Sequence, residues 1–163
     1  MVLWKTNEVG IDFKDRMTWW LITYITNRKL KIWDDPWLDF ILCWMVLDAY
    51  LTEISQCDKD HDKLEYFYKN RSDFKDYILS KWDSLCPAKL KELSPIQDMR
   101  PKQNRLVYLN DEKDIEEVFN FVYQIRCNLF HGSKDIKNSK DAELVRHGAK
   151  FLRASIVGWM EAS

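Results

Sequence analysis

The stretch Tyr123-Gln-Ile-Arg126-Cys-Asn128-Leu-Phe-His131-Gly132 closes the clearest helical pattern in this 163-residue chain. From Asp111 to Phe130, apolar side chains recur every three or four residues, which predicts one long helix. Gly132 follows as a residue type that commonly ends a helix. Arg126 lies within the apolar stripe, and His131 directly precedes the glycine. A cation and a titratable base at the end of an apolar helix make Arg126 and His131 the candidate catalytic residues.

The rest of the chain carries the same helical spacing in several segments. It predicts helices over residues 13–28, 36–54, 58–69 and 72–84, and a last helix capped by Asn138 or Ser139. Four Gly and four Pro leave little room for the tight turns of an all-β fold. The segment 86–110 contains three of those prolines and is predicted to be irregular, with one helical turn over 88–93. We therefore expect an all-α fold, an antiparallel four- to five-helix bundle with short extra helices, forming a single domain over 1–163.

Asp48 stands out on the helix that Asp34 or Asp35 would cap and that Pro36 would begin. It falls near the middle of that helix's apolar stripe, as Arg126 does on its own helix. A carboxylate buried without a partner costs several kcal/mol. We therefore hypothesise a buried or half-buried pair of Asp48 with Arg126; the alternative is that Asp48 lies at the edge of the stripe and reaches water.

Arginine and histidine together can cleave RNA without a metal or another cofactor. The guanidinium stabilises charge on the phosphate, while the imidazole deprotonates the 2′-hydroxyl or protonates the leaving oxygen. Asn128 is a candidate orienting residue, with a helix cap as an equally weighted alternative. Lys134 and Lys137 follow in a polar connection, where they either bind substrate phosphates or form a solvated loop.

The spacing of the two candidate catalytic residues predicts a shared site. Five residues on one helix turn side chains about 140° apart and separate them by about 7.5 Å along the axis. Arg126 and His131 converge if the helix unwinds at the glycine, or if a second copy approaches across a two-fold axis. A homodimer would bring two arginines and two histidines to one cleft.

Composition limits the classes of protein. A net charge of −1 gives no overall argument for nucleic acid binding. The four cysteines lack the spacing of a zinc site, and the amino terminus lacks the pattern of a signal peptide. The most apolar run is much shorter than the ~20 residues of a membrane span. We expect a cytoplasmic protein with reduced thiols and no membrane association.

The segment Arg126-Cys-Asn-Leu-Phe-His131-Gly132 resembles the Arg-x4-6-His motif of the HEPN superfamily, and Trp44-Met-Val-Leu-Asp48-Ala-Tyr50 is similar to a segment that related branches carry on an earlier helix. The resemblance implies a dimeric helical bundle with ribonuclease activity that leaves 2′,3′-cyclic phosphate ends. It also implies a role in toxin–antitoxin or anti-phage defence, with an antitoxin or other defence partner. Arg126 and His131 carry over as catalytic. Many active members have Asn, Asp or His directly after the arginine, where this chain has Cys127.

Two other interpretations stay open. One is a non-catalytic helical module of the same kind that binds RNA, nucleotide or a protein partner. The other is a structural helical adaptor in which an Asp–Arg pair only fixes packing.

Overall fold

The structure is a computed structural model that describes residues 35–85, 87–99, 105–131 and 138–159. Of these residues, 78% are helical, which confirms the predicted all-α class. The six α-helices of the described residues are α1 Pro36–Ser55, α2 Asp60–Asn70, α3 Ser72–Leu85, α4 Pro87–Glu92, α5 Ile115–Phe130 and α6 Ser139–Leu152. The antiparallel arrangement of four to five helices stays a prediction. The helix predicted over 13–28 lies outside the described residues.

Helix α1 begins and lies where the sequence predicts. The side chain of Asp35 accepts a hydrogen bond from the backbone N–H of Trp37 at 2.9 Å, and Pro36 occupies the first turn. The helix ends at Gln56, whose φ of 57° is left-handed. Its predicted stripe is buried at Trp44 and Leu47, but side chains beyond the stripe are buried as well. Helix α1 is therefore central, with neighbours on more than one side.

Helix α6 is the most extensive neighbour of α1. Asn138 caps its start, as predicted, and Gly148 lies against α1. A Cβ atom added to Gly148 would lie 2.7 Å from Cε2 of Phe40, so the missing side chain permits the close approach of the two helices. After Leu152, the helix continues through a π-helical turn, Arg153–Val157.

Aromatic rings from four helices form much of the core. Phe119 of α5 has its ring centroid 6.2 Å from that of Phe67, 5.8 Å from that of Phe74 and 5.1 Å from that of Phe151. All four side chains are almost fully buried. This cluster accounts for part of the high aromatic content of the chain.

Helices α2 and α3 match the two predicted short helices to within two residues, and they meet at Arg71. The Arg71 side chain is buried. Its Nε and Nη2 atoms donate to the Asp73 carboxylate at 2.9 and 2.6 Å. Its guanidinium carbon lies 5.7 Å from the ring centre of Tyr50 and 5.4 Å from that of Trp159. The Arg71 guanidinium, which contacts both Asp73 and aromatic rings of the core, therefore stabilises the break between α2 and α3.

The segment after α3 contains the predicted helical turn as α4, followed by a small hairpin that the sequence does not predict. Strand β1, Ile96–Gln97, pairs antiparallel with β2, Leu106–Val107. Next to β1, the buried Asp98 accepts a hydrogen bond from Nε2 of Gln124 on α5 at 3.0 Å. Contacts with α5, distant in sequence, therefore help to hold this segment.

Helix α5 starts four residues later than predicted, because Asp114 caps it. The Asp114 carboxylate accepts hydrogen bonds from the backbone N–H groups of Glu116 and Glu117 at 2.9 and 3.2 Å. The helix ends at Phe130, as predicted. Among the described helices, none has the length and apolar character needed to cross a bilayer.

Candidate functional site

Arg126 lies on the last full turn of α5, with 26% of its side chain exposed. Its Nη1 atom is 3.3 Å from Oδ2 of Asp60, at the first position of α2, and the Asp60 side chain is 22% exposed. The guanidinium is therefore half-buried and already paired. It keeps an accessible portion through which a second anion can make contact.

Aromatic rings surround the same guanidinium. Its central carbon lies 4.8 Å from the ring centre of Phe130 and 5.7 Å from that of Trp44. The rings of Trp44 and Tyr123 are 5.8 Å apart. Within the described residues, the buried Nε of Arg126 has no hydrogen-bond partner. The guanidinium is positioned by one carboxylate and by the faces of two aromatic rings.

Tyr123, one turn before Arg126, is half-buried beside this cluster. Burial, followed by its contact with Cys127, raises the pKa of the Tyr123 phenol to about 12. The phenol therefore stays protonated at neutral pH and supplies no base to the site.

The predicted pair of Asp48 and Arg126 is wrong. Oδ1 of Asp48 instead lies 3.0 Å from Nζ of Lys63 on α2, and the same ammonium lies 3.7 Å from Asp60. A chain of alternating charges therefore runs from Asp48 through Lys63 and Asp60 to Arg126. The sequence indicated that Asp48 and Arg126, each within an apolar stripe, both need partners of opposite charge. It did not indicate that α2 lies between them, because helix packing is not a local property.

His131 directly follows the last residue of α5 and is exposed. Its backbone N–H donates to the carbonyl of Cys127 at 3.1 Å, and its φ and ψ of −81° and 6° have left the helical region. The imidazole has neither a hydrogen bond nor an ion pair with any described residue, and the residue as a whole is exposed. Because α5 is helical up to Phe130, the geometry of about 140° and 7.5 Å between positions 126 and 131 applies closely. Gly132, the predicted helix stop, lies outside the described residues.

Asn128 has a structural role. The side chain is fully buried; it accepts hydrogen bonds from the backbone N–H of Met99 and from Nε2 of Gln124, both at 3.0 Å. Its own amide donates to the carbonyl of Gln97 at 2.6 Å. These contacts tie the hairpin segment to α5. The buried side chain is an anchor for the hairpin segment, and the C-cap of the helix is His131 rather than Asn128. The predicted orienting role of Asn128 toward the candidate catalytic residues stays a prediction.

The predicted phosphate-binding residues Lys134 and Lys137 lie outside the described residues. The next lysine, Lys140, does lie within them, and its ammonium donates to the backbone carbonyl of Pro95 at 3.0 Å. That contact joins the start of α6 to the segment before β1.

Two other features of the described residues involve neither Arg126 nor His131. A cavity of about 480 Å³ lies at the opposite end of α5, between Arg71 and Ile115, and neither Arg126 nor His131 lines it. On α2, ligand atoms of His61, Asp62 and Glu65 lie within 4.8 Å of one another. Glu65 is already bound by Lys69, whose hydrogen bond lowers the pKa of the Glu65 carboxyl. Exposed groups of this kind are common on helices without any metal.

Sequence reasoning missed Asp60, Lys63 and Phe130 as members of the site. Asp60 belongs to an acidic stretch that suggests only a solvated surface, and Lys63 is an ordinary helix-surface residue by spacing. Their i, i+3 separation does place both on one face of α2, which is the one local signal available. Phe130 appears in the motif stretch, but its exposure is evident only in the fold.

No protein-family model matches this chain, and neither a curated protein nor a solved structure does. The resemblance in the Arg126–His131 stretch therefore stays a prediction, and the functional argument depends on the geometry and chemistry of the site.

Proposed function

We propose that the chain is a cytoplasmic, metal-independent endoribonuclease that acts as a homodimer. The observation that carries the proposal is the end of α5, where a partly exposed, firmly positioned Arg126 is followed by the exposed imidazole of His131. Cleavage proceeds by attack of the 2′-hydroxyl on the adjacent phosphorus, with expulsion of the 5′-oxygen. The products carry 2′,3′-cyclic phosphate and 5′-hydroxyl ends.

Arg126 supplies the charge stabilisation. The Asp60 carboxylate at 3.3 Å from Nη1 marks a direction from which an oxyanion approaches the guanidinium. A phosphate group is also anionic. Two of its oxygens can accept hydrogen bonds from two N–H groups of the planar guanidinium, and such bidentate contacts are strong. The rings of Trp44 and Phe130 limit the movement of the guanidinium, so little entropy is lost when substrate binds.

His131 supplies proton transfer. Histidine is the side chain that most often acts as general acid or base in catalysis. One histidine cannot act as base and acid at the same moment. Two copies related by a two-fold axis provide one imidazole for the 2′-hydroxyl and another for the leaving oxygen. Positions 126 and 131 are about 140° apart around one helix, so their side chains point in different directions within one chain. This separation also supports a homodimer in which both copies contribute to one site.

From the motif resemblance we also propose that the protein acts in toxin–antitoxin or anti-phage defence, where a protein partner restrains the nuclease. The free thiols of Cys43, Cys57 and Cys127 accord with a reducing compartment.

The second candidate is a non-catalytic module that binds RNA or nucleotide. The observation that favours it is the ion pair of Arg126 with Asp60, because the Asp60 carboxylate competes with any phosphate for the guanidinium. In this case the site would bind without cleaving.

The deciding experiment incubates the purified protein with mixed RNA in EDTA. His131→Ala and Arg126→Ala are the test variants, and His61→Ala is the matched control because His61 is an exposed histidine on α2. We expect cleavage with cyclic phosphate ends by the wild type and by His61→Ala, and a loss of at least about 100-fold in both test variants. RNA binding without cleavage by the wild type would replace the proposal with the second candidate. Cleavage that survives in His131→Ala would contradict both.

A further inference from the structure

Phe130 is the last residue of α5, and 53% of its side chain is exposed. An aromatic ring this accessible is unusual at the end of a helix whose other apolar residues fill the core. Its ring centre lies 4.8 Å from the guanidinium carbon of Arg126, and His131 follows it directly. The exposed ring therefore belongs to the same surface as the Arg126 guanidinium, and His131 is its neighbour in sequence.

The surroundings of Phe130 are charged and polar. Arg126 lies against the ring, Asp60 pairs with Arg126, and the imidazole of His131 is exposed. Arginine and phenylalanine also occur at protein–protein interfaces, so contact of the ring with a second copy is the alternative that the test below distinguishes. A ring beside a cation matches the two chemical parts of a nucleotide, a flat base and an anionic phosphate.

We infer that Phe130 stacks on one unpaired base of the nucleotide whose phosphate contacts Arg126. The inference rests on the proposed function and adds a specificity-determining residue to it. Bases inside a duplex are stacked on their neighbours and offer no free face, whereas unpaired bases stack on aromatic side chains. Phe130 thus selects substrates in which the base next to the cleaved phosphate is unpaired.

The test measures binding by fluorescence anisotropy, with the full chain carrying His131→Ala to prevent turnover. The probes are a labelled single-stranded oligoribonucleotide and its duplex at one salt concentration. Phe130→Ala, added to this background, should weaken single-strand binding by roughly tenfold, and Phe130→Trp should retain it. Duplex binding should be weaker and should not change with either substitution. Leu79→Ala is the matched control, because Leu79 is 50% exposed and lies on α3.

Several results would overturn the inference. They are an unchanged single-strand affinity in Phe130→Ala, an equal loss for single strand and duplex, and an absence of RNA binding. A shift from dimer to monomer in Phe130→Ala, seen by light scattering, would assign the ring to contact with a second copy instead. The proposed function fails separately. If the wild type does not cleave RNA but the Phe130-dependent binding is present, the stacking role stands and the nuclease activity does not.

Discussion

Nη1 of Arg126 lies 3.3 Å from Oδ2 of Asp60, and this contact makes α2 the partner of the charged end of α5. Lys63 extends the contact to Asp48, so four charges from three helices form one alternating series. The arrangement shows which partners neutralise Asp48 and Arg126, the two charges that lie within apolar stripes in the sequence. Each has a counter-charge, but that counter-charge comes from a third helix.

The first prediction concerns how these charges couple. A double-mutant cycle with Asp60→Ala and Arg126→Ala should give a coupling free energy of up to about 1 kcal/mol in urea unfolding, since both side chains are partly exposed. The cycle of Asp48→Ala with Arg126→Ala should give a smaller coupling free energy than the first cycle, because these two charges are linked only through Lys63 and Asp60. Coupling in the second cycle that exceeds the first would restore a direct pair of Asp48 with Arg126.

The second prediction concerns RNA affinity. Asp60→Asn removes a negative charge that competes with phosphate for Arg126, so the dissociation constant for single-stranded RNA should fall several-fold at low salt. Asp62→Asn is the matched control, because it removes the same charge from an exposed position on α2. An equal effect in both variants would indicate a general charge effect, and weaker binding in Asp60→Asn would mean that Asp60 is needed to position Arg126.

The third prediction concerns Asn128. Its replacement by alanine leaves the backbone N–H of Met99 and the carbonyl of Gln97 without their side-chain partner. The free energy of unfolding should fall by about 1–3 kcal/mol. Asn120→Ala on the same helix, which forms no side-chain hydrogen bond with described residues, should cost much less. Equal costs in denaturant unfolding would refute the anchor role.

The fourth prediction concerns alkaline pH. Burial raises the pKa of Tyr123 to about 12 in the folded chain, against an ordinary value of about 10. Between these pH values the folded state keeps a proton that the unfolded state releases, so the free energy of unfolding falls as pH rises. The stabilising contribution is complete below about pH 10 and is lost towards pH 12.

Tyr123→Phe should therefore flatten this alkaline loss in urea unfolding measured from pH 9 to 12. It should not abolish the loss, because burial also raises the pKa of Tyr68. Near pH 9 the free energies of unfolding of the two proteins should change with pH in the same way. The same alkaline slope in both proteins would mean that the Tyr123 phenol is free to ionise in the folded state.

Local chemistry made much of the fold predictable. Asp35 and Asn138 cap helices at the predicted positions, and the break between α2 and α3 lies where the apolar spacing is interrupted. Each of these features depends on residues within one or two turns of one another. The helix end at Phe130 was predicted for the same reason.

The parts that were not predicted depend on contacts between distant residues. The hairpin of β1 and β2 is held by Asp98, Gln124 and Asn128, which come from segments about 30 residues apart. Asp60 reaches Arg126 only because α2 packs beside α5. Side chains such as Asn128 look functional near a motif, and only their burial shows that they bind backbone instead.

The most direct test of the central claim mixes active and inactive subunits. Wild-type and His131→Ala chains are co-expressed with different tags, exchanged, and assayed on RNA in EDTA across a range of mixing ratios. A shared cleft that needs one imidazole as base and another as acid predicts activity proportional to the square of the wild-type fraction, about a quarter of full activity at equal amounts. Activity that declines linearly, or a chain that remains monomeric at micromolar concentration while cleaving RNA, would contradict the account.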